Sequence, residues 1–194
     1  MKARCFRISR FSIFTTVILL TLAVSAGGAP PRPVDDDCGA AADGLQMCLA
    51  PAGHNLQLTL RNVGDHDLTL NLGMMLANGR VQLPNRLAIK FTDVHGNTRL
   101  FKFGDKRYPG VFGRVDDYVV SLRVGSTYTL QLTLDQFWCQ ETKEFSIPLD
   151  SNDDHLTAQF EGTGAAFVNL DTQGMKLMNF WLGKVNSNTL TLRR

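Results

Sequence analysis

Short runs in which every second residue is apolar recur along most of this 194-residue chain and constrain its fold more than any other feature. Successive side chains of a β-strand point to opposite faces of a sheet, so such alternation predicts half-buried strands. The runs centre on Met47, Leu58, Leu70, Ile89, Leu130, Ala158 and Leu190. No window of about 12 residues carries the apolar stripe of an amphipathic helix. The sequence therefore predicts an all-β protein of eight or nine strands.

The segments between these runs carry residues that favour turns. Residues 64–67 predict a tight hairpin, and Asn78-Gly79 is a type I′ signal because both residues tolerate positive φ. Residues 95–97 and 124–126 have similar turn chemistry. Frequent turns between short strands are typical of an antiparallel β-sandwich. The longest irregular stretch, residues 104–117, predicts an ordered loop of the kind that often binds ligands.

The first 26 residues predict export. Four basic residues precede the uncharged run 11–24, and the small residues 25–28 follow it. This order is typical of a secretory signal, with cleavage predicted after Ala26. The run is shorter than the roughly 18 apolar residues that suggest a membrane span. We therefore expect a secreted protein with a flexible leader at 27–43, rich in Pro and Asp, and a single domain at 44–194.

Removal of this signal changes the sign of the net charge. The full chain has a net charge of +2, but four of its 20 Lys and Arg residues lie in the first 26 residues. The mature chain keeps 16 basic against 18 acidic side chains, a net charge of −2. Because nucleic-acid-binding domains carry a basic surface, the composition predicts no nucleic-acid partner. After cleavage it also predicts no membrane span.

Three cysteines, Cys38, Cys48 and Cys139, remain after cleavage. In an oxidising compartment they allow one disulfide and leave one thiol over, and all three pairings are open. A bridge that closes a longer loop stabilises more in the chain-entropy model, which slightly favours Cys48–Cys139 over the local Cys38–Cys48. The remaining thiol is either buried and inert, which we favour, or available for an intermolecular disulfide.

A calcium-loop pattern with oxygen ligands at its positions 1, 3, 5 and 12 is matched by Asp150, Asn152, Asp154 and Glu161. The sixth position, however, is His155 where the sharp turn of such a loop needs glycine. Residues 156–160 also alternate like a strand. A polar turn that leads into a strand explains the pattern without a metal, so we predict neither a metal site nor a cofactor.

Basic and aromatic side chains interleave over residues 99–108. Aromatic rings can stack on bases or sugars while the cations hold phosphate or sulfate. A strand with a buried aromatic face and a solvated basic face produces the same pattern, and the alternation over 98–103 favours this interpretation. We therefore predict that this segment is a strand, and a ligand site is the less favoured interpretation.

Catalytic signatures are missing from the sequence. The four histidines fall singly beside turns, and none has the spacing of a zinc motif. The sequence carries no Gly-x-Ser-x-Gly elbow, no cysteine–histidine signature and no glycine loop that would cradle phosphate. We therefore predict a protein that is not an enzyme.

Residues 56–73 carry a strand, an N-x-G turn and a second strand, and residues 180–192 carry an aromatic-x-Gly run before Ser187-Asn188. These two stretches resemble secreted immunoglobulin-like or fibronectin-III-like domains of a functionally uncharacterised group. Residues 56–73 are similar to their opening of a strand, an N-x-G turn and a second strand. Residues 180–192 are similar to their last hairpin, in which an aromatic-x-Gly run and a Ser-Asn pair, here Ser187-Asn188, precede the final strand. The resemblance spans roughly residues 44–194 and implies an antiparallel immunoglobulin-like β-sandwich.

The predicted function is binding. The 104–117 loop carries residue types that are common at interfaces, namely Tyr108, Val111, Phe112 and Arg114. We expect a secreted, non-enzymatic binding module that contacts an extracellular protein or glycan through this end loop. The alternatives are a structural component of extracellular matrix or cell surface, assembled through sheet edges or the odd cysteine, and a protease inhibitor that presents one exposed loop.

Overall fold

The computed structural model describes residues 37–104, 113–148, 153–166 and 179–191. These residues form twelve β-strands and one short 3-10 helix, Leu134–Gln136. In chain order the strands are β1 (Leu45–Ala52), β2 (Asn55–Asn62), β3 (Leu68–Leu76), β4 (Val81–Leu83), β5 (Leu87–Thr92), β6 (Thr98–Phe103), β7 (Asp116–Leu122), β8 (Thr127–Leu132), β9 (Phe137–Cys139), β10 (Glu144–Phe145), β11 (His155–Gly162) and β12 (Gly183–Thr191). The prediction of an all-β protein is confirmed.

One hydrophobic core collects the inward-facing side chains. The apolar residues at alternate positions of β1, β2, β3, β5 and β11 are at most 3% exposed. Full burial of one such leucine, isoleucine or phenylalanine is worth about 1.5–3 kcal/mol. The alternation seen in the sequence therefore reports the core directly. In β8, Tyr128 and Leu130 are only half-buried, because this strand borders its sheet.

The strands form three antiparallel sheets, in the orders β1-β2-β8, β4-β3-β7 and β10-β9-β6-β5-β11-β12. The first two sheets are halves of one bent layer. β2 pairs with β8, while β3, which follows β2, pairs with β7, which precedes β8. The segments β2–β3 and β7–β8 thus bend together from one sheet into the other. Inward-facing residues of all three sheets share one core, which is the architecture of an antiparallel sandwich.

The corner replaces the hairpin predicted at residues 64–67. β2 and β3 belong to different sheets and do not pair with each other, so the hairpin prediction is wrong. Asn62 holds the corner, since its Nδ2 donates to the carbonyls of His66 and Leu122 at 2.8 and 2.9 Å. Its Oδ1 accepts from Gly64 N at 3.0 Å. A buried amide that satisfies three backbone groups explains the Asn and Gly of the N-x-G turn.

A β-bulge joins the edges of two sheets. Between Thr157 and Gln159 of β11, the partner strand β12 places Ser187 and Asn188 opposite one residue, Ala158. Ser187 Oγ accepts from Ala158 N at 2.8 Å and so replaces the interrupted ladder bond. Asn188 turns to β1, where its side-chain amide donates to Leu49 O at 2.9 Å and accepts from Leu49 N at 2.7 Å. Bulges commonly redirect a side chain in this way.

Of the remaining features, the turn at Asn78-Gly79 and the strand at residues 98–103 are confirmed, whereas four strands were not predicted. Asn78 and Gly79 have φ values of 57° and 83°, as a type I′ turn requires. Phe101 and Phe103 are buried in β6 while Lys102 is exposed, which confirms the strand interpretation of this segment. The sequence analysis missed the short strands β4, β9 and β10 and the longer β7. Because β7 includes Asp116 and Asp117, the predicted 104–117 loop is too long at its end.

Cys38 and Cys48 form the disulfide, and Cys139 is a free, fully buried cysteine. The preference for Cys48–Cys139 is therefore wrong. In β1 the inward positions are those of Met47 and Leu49, so Cys48 faces away from the core, whereas Cys139 on β9 faces into it. The expectation of a buried leftover thiol agrees with this placement.

Residues 37–43, the end of the predicted flexible leader, lie against the sandwich. The disulfide anchors Cys38 to β1, and Gly39 N donates to Met47 O at 2.9 Å. A Cβ atom at Gly39 would overlap the carbonyl of Asn186, so only glycine allows this approach to β12. The domain therefore begins a few residues earlier than the sequence predicts.

None of the described elements is a helix with the length and apolar character that a membrane crossing requires.

Candidate ligand-binding cleft

A cleft of about 460 Å³ lies on the outer face of the six-stranded sheet, and we call it the sheet cleft. Its floor includes Ala88 of β5 and Leu100 of β6. Six of the polar side chains around it come from three strands and two connecting segments: Asn85, Arg86, Lys102, Gln159, Thr163 and Asn186. Small-molecule sites in proteins span about 300–1,000 Å³, so the cleft has the size of a ligand site.

One cross-strand row forms the middle of this face. Gln159 pairs with Asn186 on one side and with Ala88 on the other. The row continues from Ala88 to Lys102 and from Lys102 to Trp138. Residues that are directly opposite in antiparallel strands point to the same face. The small side chain of Ala88 therefore leaves a hollow between longer polar neighbours.

Arg86 reaches the cleft because glycine lets its segment pack closely on β3. Gly73 has φ +147°, and a Cβ atom there would lie 2.6 Å from Asn85 N. Arg86 N donates to Leu72 O at 3.1 Å, and Arg86 O accepts from Glu161 N at 3.4 Å. The backbone of Arg86 is thus held between the bent layer and β11.

Thr163 is positioned by a buried polar network. Asn71 Nδ2 donates to Asp117 Oδ1 and to Gly164 O, both at 2.8 Å. The Asp117 carboxylate, 1% exposed, accepts from Ala166 N at 2.9 and 3.1 Å. Charge-assisted bonds of this kind are stronger than neutral ones. They fix the segment 163–166 beside the cleft.

Six polar side chains around the cleft lack protein partners among the described residues. Within the described part of the chain, none of the six polar lining residues makes a side-chain hydrogen bond or ion pair. Arg86 Nε and Thr163 Oγ1 are buried without a partner. A buried donor without a partner costs about 1–3 kcal/mol. Elsewhere on the same face, hydroxyls pair across strands, as in Thr92–Thr98 and Thr157–Thr189 at 3.1 Å.

Positive charge predominates in the cleft. Arg86, Lys102 and Lys184 line it together with one carboxylate, Glu161. Glu161 Oε2 lies 3.4 Å from Lys184 Nζ, and both side chains are largely exposed, so this pair is weak. Arg86 and Lys102 have no ion pair with any described carboxylate. The site therefore presents two uncompensated cations.

A second cleft, of about 360 Å³, lies beside Trp181. Here the structure already pairs the polar groups. Trp181 Nε1 donates to Asp43 O at 3.1 Å, and Asp67 Oδ1 accepts from Val124 N at 3.0 Å. The sheet cleft is therefore the stronger candidate for a site.

The structure describes only one of the four residues predicted to bind at the end loop. Tyr108, Val111 and Phe112 lie outside the described residues. Arg114 precedes β7, where its Nε donates to Asp116 Oδ2 at 2.7 Å and its backbone N to Asn78 Oδ1 at 3.4 Å. Arg114 thus has a structural role in the described part of the loop.

The structure describes two of the four residues that match the calcium-loop pattern, and these two lie far apart. Asp150 and Asn152 lie outside the described residues. Asp154 is buried just before β11, and Glu161 lies near the far end of that strand. A strand rises about 3.3 Å per residue, so roughly 23 Å separates the two, too far for one ion. Among the described residues no cluster of His, Cys, Asp and Glu is arranged to hold a metal.

The sequence analysis missed the sheet cleft because its residues lie on four strands that the chain visits far apart. Lys102, Gln159 and Asn186 look like ordinary solvated residues of half-buried strands. The one available signal was Ala88, a small residue at an outward position between Leu87 and Ile89. A hollow on a sheet face begins at such a residue, but its neighbours are known only once the strands are paired.

Comparison with models of known protein families gives no match for this chain, and comparison with curated proteins gives no significant match.

Proposed function

We propose that this protein is a secreted, non-enzymatic binding module and that its ligand occupies the sheet cleft. The observation that carries the proposal is the ring of polar side chains without protein partners around a cleft of about 460 Å³. Antiparallel strands hold these side chains, and a rigid support lowers the entropy cost of binding. A bound ligand would supply the missing hydrogen-bond partners.

The chemistry of the lining favours binding over catalysis. Glu161 is its single carboxylate, and this group already pairs with Lys184. General acid–base catalysis needs a positioned group that gives or takes a proton near neutral pH. Cations and amides are well suited to hold a ligand through charge-assisted and neutral hydrogen bonds. Secretion is part of the proposal and is supported by the N-terminal signal pattern.

The placement among immunoglobulin-like or fibronectin-III-like domains is also part of the proposal. Its support is that the motif residues behind the resemblance have structural roles. Asn62 holds the corner, and Ser187 and Asn188 form the bulge that joins β12 to β1. A structural role through the odd cysteine has less support, because Cys139 is buried.

The proposal is tested with the full chain, exported by its own N-terminal segment and purified from the medium. A set of small sugars, carboxylates, amides and short peptides is screened by protein-observed NMR. We expect amide shifts to concentrate at Ala88, Gln159 and Asn186. The variant Arg86→Ala/Lys102→Ala should lose them, whereas Lys90→Ala, an exposed lysine of the same face, should keep them.

A second variant, Phe112→Ala/Arg114→Ala, tests the end loop. If the shifts concentrate on the loop and disappear only in this variant, the cleft is not the site. Unfolding midpoints of all variants must match the wild type for these comparisons to count. Conversion of any compound during the screen would contradict a non-enzymatic role.

A further inference from the structure

We propose that the ligand of the sheet cleft is an acidic glycan. Its charged sugar lies beside Arg86 and Lys102, and its neighbouring sugar packs on Trp138. This inference rests on the proposed function and adds the chemical class of the ligand to it.

The charge of the cleft favours a ligand with an anionic group. Arg86 and Lys102 have no carboxylate partner among the described residues, and Arg86 Nε is buried. A partly buried cation is unfavourable unless an anion compensates it. A guanidinium binds carboxylate and sulfate with paired, parallel hydrogen bonds. Both acidic groups that occur on sugars therefore suit this position.

The remaining polar groups require more than an anion. Asn85, Gln159 and Asn186 each offer an amide oxygen as well as an amide NH₂, and Thr163 offers a hydroxyl. An inorganic anion accepts hydrogen bonds and would leave the amide oxygens unused. Sugar hydroxyls both donate and accept, so they satisfy amides and a hydroxyl together. The mixture of lining groups thus favours a ligand rich in hydroxyls.

An aromatic platform continues the row beyond Lys102. Trp138 pairs with Lys102 on one side and with Phe145 on the other. The two rings lie 6.2 Å apart at 31°, and Phe145 is 37% exposed. Neighbouring strands are about 4.8 Å apart, so roughly 10 Å separates Ala88 from Trp138. This span suits a short oligosaccharide, whose sugar rings pack their apolar faces on aromatic side chains.

The position of the cleft favours a glycan over an acidic peptide. Extended peptides usually bind by adding a strand to a sheet edge, where backbone groups are free. The sheet cleft lies on the face of β6, β5 and β11, which pair on both sides, and of the edge strand β12, which pairs with β11. The face of the sheet presents side chains to a ligand, and these match hydroxyls and one anionic group.

Calorimetric titration of the full chain tests the inference with four probes. These are tetragalacturonate, its fully methyl-esterified form, a heparin-derived tetrasaccharide and tetraglutamate. We expect at least one acidic tetrasaccharide to bind about tenfold more tightly than the ester. The two acidic probes tell whether carboxylate or sulfate is preferred. Affinity should fall with added salt because part of the attraction is electrostatic.

Variants connect this binding to the residues. Arg86→Met keeps much of the side-chain volume and should lower the affinity about tenfold without lowering the unfolding midpoint, because it removes an unpaired buried donor. Trp138→Ala should weaken the tetrasaccharide but not a single galacturonate, and Trp138→Phe should restore most of the loss. Lys90→Ala is the matched control and should bind like the wild type.

The inference is overturned if the methyl ester or tetraglutamate binds as tightly as the acidic sugars, or if neither acidic sugar binds. It is also overturned if Arg86→Met binds like the wild type. If fragments still bind in the cleft while no acidic tetrasaccharide does, only the ligand class is wrong. If fragments do not bind there either, the proposed function is wrong as well.

Discussion

At the scale of single residues, Trp181 shows how two glycines make room for one large side chain. Its ring stacks on Phe160, with centroids 5.6 Å apart and an interplanar angle of 16°. Gly162 and Gly183 lie against the same ring, and a Cβ atom at Gly162 would overlap Cε3 and the carbonyl of Trp181. Such stacking adds about 0.5–1.5 kcal/mol beyond the burial of area. The aromatic-x-Gly pattern in the sequence is thus a packing requirement.

The substitution Gly162→Ala should lower the free energy of unfolding by about 1–3 kcal/mol, since it forces extra volume into a packed region. Gly164→Ala is the matched control, because a Cβ atom there meets nothing within 4 Å. Urea unfolding of both variants measures the difference. Equal stability of the two variants would show that Trp181 can shift at little cost.

At the scale of elements, side chains make hydrogen bonds to backbone groups that strand pairing leaves without a partner. Asn188 bonds to both backbone groups of Leu49 and so gives the edge strand β1 a partner in β12. Unpaired strand edges invite association with other chains, and natural proteins cover them. The bulge at Ser187 makes this possible, because it turns the Asn188 amide toward β1.

Replacing Asn188 with alanine should therefore lower the free energy of unfolding by about 1–3 kcal/mol, as both Leu49 groups lose a partner. Asn186→Ala, two residues away, removes an exposed amide that makes no hydrogen bond within the described residues and should leave stability unchanged. Chemical denaturation gives the two values. Faster amide exchange at Leu49 in Asn188→Ala would locate the effect, and unchanged exchange would contradict it.

The sequence predicts individual strands well, but it does not predict how those strands pair. Alternation identified β1, β2, β3, β5 and β11, because each buries one face and exposes the other. It missed β9 and β10, which are too short to alternate, and β7, whose burial pattern is irregular. Asn62 and Gly64 marked a turn, but which strands meet there depends on pairing. The sheet cleft depends on the same pairing.

At the scale of the whole molecule, the disulfide follows from which face each cysteine occupies. Cys48 alternates with the buried Met47 and Leu49, so β1 points it away from the core that contains Cys139. The chain-entropy argument favoured the longer loop because it ignored this geometry. Strand alternation places Cys48 on the outward face from the sequence alone, but the inward position of Cys139 becomes known only with strand β9, which is too short to alternate.

A thiol titration checks this arrangement. Protein exported and cleaved as we propose should show almost no reaction with a water-soluble thiol reagent while folded. After unfolding without reductant, about one equivalent should react, because Cys139 is the free cysteine among the described residues and is buried. Electrophoresis without reductant should show a monomer. A rapidly reacting folded protein, or a disulfide-linked dimer, would support the assembly alternative instead.

The bent layer also determines the order in which the fold can form during synthesis. β1 and β2 are neighbours in sequence and can pair as soon as both have been made. The second edge of β2 can pair only after β8 has been synthesised, and β3 can pair with β7 only after β7 has been synthesised. Contacts between distant segments require loop closure before they stabilise anything, which slows folding. The nascent chain therefore stays open until late, which suits the export that we propose, because an exported polypeptide crosses the membrane before it folds.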